Sequence, residues 1–124
     1  MNKDQLPPEL LSIVRNYNYD ISESTASDDF PNKRFITFSV KSAQLDEEVD
    51  VQIVEHLTTN KWEFIYIAYK NCIYQDAPDN VMLSALNNLM AGHLVHEKTW
   101  LKKKDKLVIT DDTSKAILRP YTIS

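Results

Sequence analysis

Alternation of apolar and polar residues along the chain predicts three β-strands in its first two thirds. Residues 34–41 and 49–54 carry apolar side chains at every second position, which is the period of a strand that buries one face. Residues 62–69 are apolar on both faces, and this pattern indicates a central strand covered on two sides. Unbroken alternation in this third strand predicts that four side chains share one face: Trp62, Phe64, Tyr66 and Ala68.

Helical spacing predicts an α-helix on each side of these strands. Residues 7–16 begin with Pro7 and Pro8, which the first helical turn tolerates, and carry apolar residues three or four positions apart. Residues 79–90 fit the helical period at five positions: Met82, Ala85, Leu86, Leu89 and Met90. Gly92 stands where a residue of left-handed conformation commonly ends a helix.

The remaining segments complete an α+β fold. Residues 22–32 are rich in Ser and Asp and predict a loop, whereas 94–101 and 106–110 predict a hairpin. Asp111 and Asp112 predict the cap of a last short helix over 113–118. The predicted order is α-β-β-β-α-β-β-α, an antiparallel sheet with packed helices in a single domain over residues 1–124.

Composition limits the classes of function. The chain has 124 residues, a net charge of −4 and one glycine, which is too few for a Gly-rich phosphate-binding loop. No apolar run approaches the length of a membrane span, and the N-terminus lacks the pattern of a signal peptide. Cys72 is the only cysteine, which is typical of a protein in a reducing compartment. We therefore expect a cytoplasmic protein with no membrane partner.

Candidate catalytic and metal-binding groups form no diagnostic pattern in the sequence. His93 and His96 are three positions apart, but they follow the helix end at Gly92 and enter a predicted strand, where such residues point to opposite faces. Neither Cys72 nor His56 completes a zinc-site spacing, and no sequence context marks the Cys72 thiol as a nucleophile. The sequence thus predicts a protein that is not an enzyme and holds no metal and no cofactor.

A lysine cluster at the turn of the predicted second hairpin offers an alternative function. The cluster consists of Lys102, Lys103, Lys104 and Lys106. With the helix at 79–90 and the segments 92–95 and 107–112, it resembles the recognition helix and wing of winged helix-turn-helix proteins. This resemblance implies nucleic-acid binding through phosphate contacts of the lysines. The family's final glycine is replaced by Thr113, and strands are predicted where that family has helices. Lysines that keep an exposed turn soluble are the other interpretation.

The order of the predicted elements resembles the type III secretion chaperone-like fold, which includes the YbjN group. The local likeness lies in Leu-Asn-Asn-Leu at 86–89, which leads into 93–100 and then into 104–108. In that family a helix with a leucine–asparagine segment runs into a hairpin. The resemblance implies a non-enzymatic protein that binds another protein and often forms a dimer. It transfers no catalytic residue to this chain.

Aromatic and acidic residues predict a protein-binding surface. Tyrosine and tryptophan combine apolar area with a polar group, and the predicted anchors are Tyr66, Tyr74 and Trp100. An acidic stretch that would steer a basic partner consists of Asp46, Glu47, Glu48 and Asp50. The predicted function is therefore the binding of another protein, of chaperone-like, immunity or inhibitor type, with a homodimer as a further expectation.

Overall fold

The computed structural model describes residues 6–27, 29–98 and 105–120, which contain two helices and eight strands. The helices are α1 (Pro8–Val14) and α2 (Asp79–Met90). The first sheet contains, in spatial order, β1 (Asn18–Ser27), β2 (Phe30–Lys41), β3 (Val49–His56), β4 (Lys61–Tyr69) and β5 (Cys72–Tyr74). The second sheet contains β6 (Leu94–Lys98), β7 (Asp105–Thr110) and β8 (Ala116–Leu118).

The first sheet is an antiparallel meander in which each strand pairs with the next one along the chain. The alternation predicted for β2 is confirmed, because Ile36, Phe38 and Val40 are fully buried. Thr37 and Ser39 lie between them and face the other side of the sheet, where they are half-buried. We call this other side the open face. The helices and the second sheet share a hydrophobic core with the opposite side.

The predicted loop at 22–32 is wrong over most of its length, because β1 extends to Ser27 and β2 begins at Phe30. β1 forms an edge of the first sheet, and most of its side chains are exposed. Its sequence is accordingly polar. Within 18–26, where side-chain burial is described, Ile21 is the one buried side chain, and it lies opposite Phe38. An edge strand that contributes so little to the core carries a weak alternation signal.

A bulge divides β4 into two halves that present different faces. Gln52 on β3 pairs with Tyr66, but the next residue, Ile53, pairs with Phe64, so Ile65 is an extra residue on β4. Ile53 is fully buried, and Phe64 packs with it against the core. Tyr66 instead shares the open face with Gln52. The prediction that Trp62, Phe64, Tyr66 and Ala68 share one face is therefore wrong.

Helix α2 has the predicted bounds and joins the two sheets. Its five predicted core residues are all buried, and the helix contacts β4 on one side and β7 and β8 on the other. Gly92 has a φ of +84°, and a Cβ built on it would stand 3.1 Å from the Gln44 Cβ. A glycine therefore suits this position for both its conformation and the close approach of the neighbouring segment. Helix α1 is also confirmed, with Leu10 and Val14 fully buried.

The second sheet confirms one prediction and corrects another. β6 and β7 pair as the predicted hairpin. Of its predicted turn at 102–105, only Asp105 is described, and it is the first residue of β7. The predicted helix at 113–118 is wrong, because β8 occupies that segment. Asp111 caps a turn: its Oδ1 accepts hydrogen bonds from the backbone N–H groups of Thr113 and Lys115 at 2.9 Å. The chain then bends back at Ser114, which has a φ of +65°.

The described elements therefore form a mixed α+β fold with antiparallel sheets, as predicted, but in the order α-β-β-β-β-β-α-β-β-β. Two additional strands, β1 and β5, precede α2, and a strand replaces the predicted last helix. The shared core contains buried residues from α1, α2 and both sheets. The five-stranded sheet thus has one face in this core, and the open face lies on its other side.

Candidate functional site

An acidic depression lies at one end of the open face, where β3 begins, β4 ends and β5 begins. It has a volume of about 510 Å³, and Glu47, Glu48, Asp50, Ala68 and Ile73 line it together with residues 69–72. Asp50 pairs with Ala68, and Ala68 pairs with Ile73, so these three side chains share the open face. Three of the four residues predicted to form an acidic binding stretch therefore lie around one depression.

The segment between β2 and β3 holds these carboxylates in place. Ser42 is buried, and its Oγ donates a hydrogen bond of 2.7 Å to the carbonyl oxygen of Met90 at the end of α2. The same Oγ accepts a bond of 3.1 Å from the backbone N–H of Gln44. Further along, the backbone N–H of Asp46 donates to the Tyr69 hydroxyl at 3.2 Å. The acidic stretch is thus attached to both α2 and β4.

Asp46, the fourth acidic residue, is neutralised by a neighbour. The Lys70 Nζ lies 2.7 Å from the Asp46 Oδ2, and this hydrogen bond lowers the pKa of the carboxyl and raises the pKa of the Lys70 amine. Lys70 and Asn71 form the tight β4–β5 turn with positive φ angles of 47° and 66°, a geometry typical of two-residue hairpins. None of the described ion pairs involves Glu47, Glu48 or Asp50, so these three carboxylates leave the depression acidic.

Tyr66 is brought to the same face as the acidic depression. It lies opposite Gln52, two residues from Ala68 along β4, and is half-buried. Asp20 also belongs to this face, because it pairs with Ser39, which pairs with Asp50. With strands about 4.8 Å apart, Asp20 and Asp50 stand roughly 10 Å from each other across the sheet. Asp20 was not among the predicted binding residues, because the sequence pattern does not predict β1.

Tyr74 is not an exposed anchor, and this prediction is wrong. Its side chain is fully buried on the core side of β5, and its hydroxyl donates a hydrogen bond of 2.5 Å to the carbonyl oxygen of Leu107 on β7. Burial raises the pKa of its phenol well above the usual range. Tyr74 therefore joins the two sheets rather than contacting a partner.

The remaining predicted binding residues lie either outside the described part of the chain or outside the lining of the acidic depression. Trp100 and the lysines Lys102, Lys103 and Lys104 lie outside the described residues. Lys106 is half-buried on β7, opposite Glu97 on β6.

The elements that resemble a winged helix are arranged differently here. Helix α2 follows the strand β5, and five strands separate it from α1. Its apolar side is buried in the core. Nucleic-acid binding by the lysine turn stays a prediction.

The histidines and Cys72 belong to different elements in the described part of the chain. His56 ends β3 and lies 3.4 Å from the Glu63 Oε2, His93 lies 3.2 Å from the Asp112 Oδ1, and His96 is exposed on β6. Cys72 is half-buried on β5. Within residues 6–27, 29–98 and 105–120, no three histidine, cysteine or acidic side chains are grouped so that they could hold a metal ion.

Comparisons with known proteins add no further identification. No family model, no curated protein and no solved structure matches the chain. Among the described residues, neither α1 nor α2 is long and apolar enough to cross a membrane.

Proposed function

We propose that this protein acts without catalysis, by binding a second protein that presents a basic surface to the open face. The carrying observation is the position of Glu47, Glu48 and Asp50 around one depression, without ion pairs among the described residues and beside the half-buried Tyr66. Carboxylates of this kind accelerate association with a cationic partner and select against acidic ones. The aromatic ring supplies contact area of the type that dominates protein interfaces.

The attachment of the acidic stretch supports binding by a preformed surface. Hydrogen bonds to α2 and β4 fix the segment before a partner arrives, so little conformational entropy is lost on association. The depression is open to solvent and is lined by carboxylates as well as apolar side chains, which suits a protein side chain such as Lys or Arg better than a buried small molecule. Chaperone-like, immunity and inhibitor proteins all act by such binding, and the proposal includes all three. We place the protein in the cytoplasm, consistent with its single unpaired cysteine, Cys72.

Affinity capture from the source cells, followed by binding of the purified partner, tests the proposal. The test variant carries Glu47→Gln, Glu48→Gln and Asp50→Asn, which remove three charges and keep similar shapes. The matched control is Asp76→Asn, which removes an exposed charge that does not line the depression. We expect a stoichiometric partner whose affinity falls at least tenfold in the triple variant, by more at low salt, and is unchanged in the control.

Two results would contradict the proposal. One is that the native protein recovers no stoichiometric partner. The other is that the triple variant binds as tightly as the native protein while circular dichroism shows both to be folded. Light scattering on the isolated protein also reports whether it forms the expected homodimer, which would use another surface because two acidic depressions repel each other.

A further inference from the structure

The edge of the first sheet at β1 is the longest of the described sheet edges. β1 has ten residues and pairs only with β2 among the described residues. Its outer edge therefore presents backbone N–H and C=O groups that can pair with another strand. The other described sheet edges are shorter: β5 and β8 have three residues each, and β6 has five and ends at Lys98.

The sequence of β1 contains only part of what normally prevents strand pairing. Natural edge strands carry charged side chains, lysine above all, as well as proline or bulges, whereas Asn18–Ser27 has acidic side chains but no lysine, no arginine and no proline. Two register shifts interrupt its pairing with β2, one at Ser22 and one between Ala26 and Ser27, and the Ser22 Oγ donates a hydrogen bond of 3.1 Å to the Thr37 carbonyl oxygen. Regular pairing remains in two segments of four residues, 18–21 and 23–26.

The charges on β1 indicate which strand it would accept. Asp20 and Glu23 are exposed on the open face, opposite Ser39 and Thr37 of β2. An added strand would place its own side chains beside these carboxylates, and opposite charges in such pairs are stabilising. Lysine or arginine at alternate positions of the incoming segment would meet both.

The same charges disfavour pairing with a second copy of β1 in one register. When Ile21 lies opposite Ser22 in an antiparallel pair, Asp20 lies directly opposite Glu23 of the other copy. Like charges in this position are destabilising. Asp20 pairs with Ser39, and Ser39 pairs with Asp50 at the acidic depression. A basic segment bound at β1 would therefore lie on the same face as the depression.

We propose that β1 is a strand-addition site that receives an extended, basic segment of the protein partner. This inference rests on the proposed function and names the surface and the chemistry of the partner. Backbone hydrogen bonds to β1 would supply affinity, and Asp20 and Glu23 would select lysine or arginine at alternate positions. Tyr19 and Ile21 lie on the other side of the sheet, so the remaining positions of the segment would be apolar.

A designed peptide tests the inference on the full-length protein. The probe is a seven-residue peptide in which lysine alternates with valine. The first control peptide carries glutamate in place of lysine, and the second carries N-methyl groups on alternate amides, which block strand pairing. We expect the lysine peptide to slow amide hydrogen exchange within 18–27, and we expect neither control peptide to do so.

Protein variants separate β1 from the acidic depression. Asp20→Lys with Glu23→Lys should weaken peptide binding about tenfold, because each position loses an attractive cross-strand pair and gains a repulsive one. The matched control, Asp76→Lys, reverses an exposed charge outside β1 and should leave binding unchanged.

Three outcomes would overturn the inference: amides of 18–27 that are already protected along the whole outer edge in the isolated protein, an N-methylated peptide that binds as well as the lysine peptide, or protection confined to another element. A captured partner that depends on Glu47, Glu48 and Asp50 but tolerates the β1 double variant would refute strand addition and leave the proposed function intact.

Discussion

Tyr74→Phe should lower the free energy of unfolding by an amount that depends on pH. The substitution removes a buried hydroxyl whose hydrogen bond of 2.5 Å to Leu107 joins β5 to β7, and it adds no volume. Loss of a buried donor leaves its acceptor without that bond, at a cost of about 1–3 kcal/mol. At pH 7 we expect the free energy of unfolding to fall by that amount.

The alkaline range carries the more specific expectation. Burial raises the pKa of Tyr74 in the folded protein above its ordinary value of 10.0, so the folded state keeps a proton that the unfolded state loses. The stability from this group is therefore fully present below about pH 10 and is lost as the pH rises toward the folded pKa, by up to about 1.4 kcal/mol per pH unit. Phenylalanine has no such proton, so the advantage of the native protein over the variant should shrink above pH 10.

Urea denaturation at pH 7, 9, 10 and 11, followed by circular dichroism, measures both effects. Tyr66→Phe is the matched control, since it removes a phenol hydroxyl from a half-buried residue on the open face and should change stability little at pH 7. A stability difference between the native protein and Tyr74→Phe that is the same at pH 7 and pH 11 would refute the reasoning. Equal stability at pH 7 would show that the Leu107 bond contributes nothing.

Two further substitutions test other parts of the fold. Ser42→Ala removes the Oγ that donates to the Met90 carbonyl, and it should cost about 1–3 kcal/mol of unfolding free energy, measured by urea denaturation. Asp111→Asn should make the free energy of unfolding depend less on pH in the acid range. The backbone hydrogen bond from Lys115 is the main cause that lowers the pKa of the Asp111 carboxyl in the folded protein. The stability that the ionised carboxylate contributes is therefore present above its ordinary pKa of 3.8 and is lost as the pH falls below that value.

Each of these substitutions has a comparison that checks it. Ser12→Ala removes an exposed hydroxyl that bonds within α1, and it should cost far less than Ser42→Ala. The acid dependence of Asp111→Asn is compared with that of the native protein between about pH 5 and pH 2. An Asp111→Asn variant with the same acid dependence as the native protein would show that the turn before β8 does not depend on this carboxylate.

The sequence predicted the elements that bury a regular face. Alternation in β2 and helical spacing in α2 are direct consequences of contact with the core, so both were found near their true bounds. β1 was missed because an edge strand of Ser, Asp and Thr residues buries only Ile21. Asp111 does cap a turn, but the bend at Ser114 that leads into a strand depends on tertiary pairing with β7.

The candidate site was predicted in composition but not in arrangement. The acidic stretch lies in a polar segment between two predicted strands, and the sequence alone predicts that such a segment is exposed. Its proximity to Tyr66 depends on pairing registers across three strands, including the extra residue on β4. The burial of Tyr74 depends on an acceptor at Leu107, 33 positions away along the chain, and no local pattern reports such a contact.

Ile65, the extra residue of β4, reverses the side of the sheet that alternate positions of this strand face. Before it, β4 sends Trp62 and Phe64 inward, and after it the same parity of positions sends Tyr66 and Ala68 outward. Deleting Ile65 would leave Phe64 opposite Ile53 and Tyr66 opposite Gln52, because these two partners are adjacent on β3, so it would remove the bulge and keep both faces. The extra residue therefore lets aromatic side chains two positions apart along β4 serve opposite sides of the sheet, one the core and the other the open face.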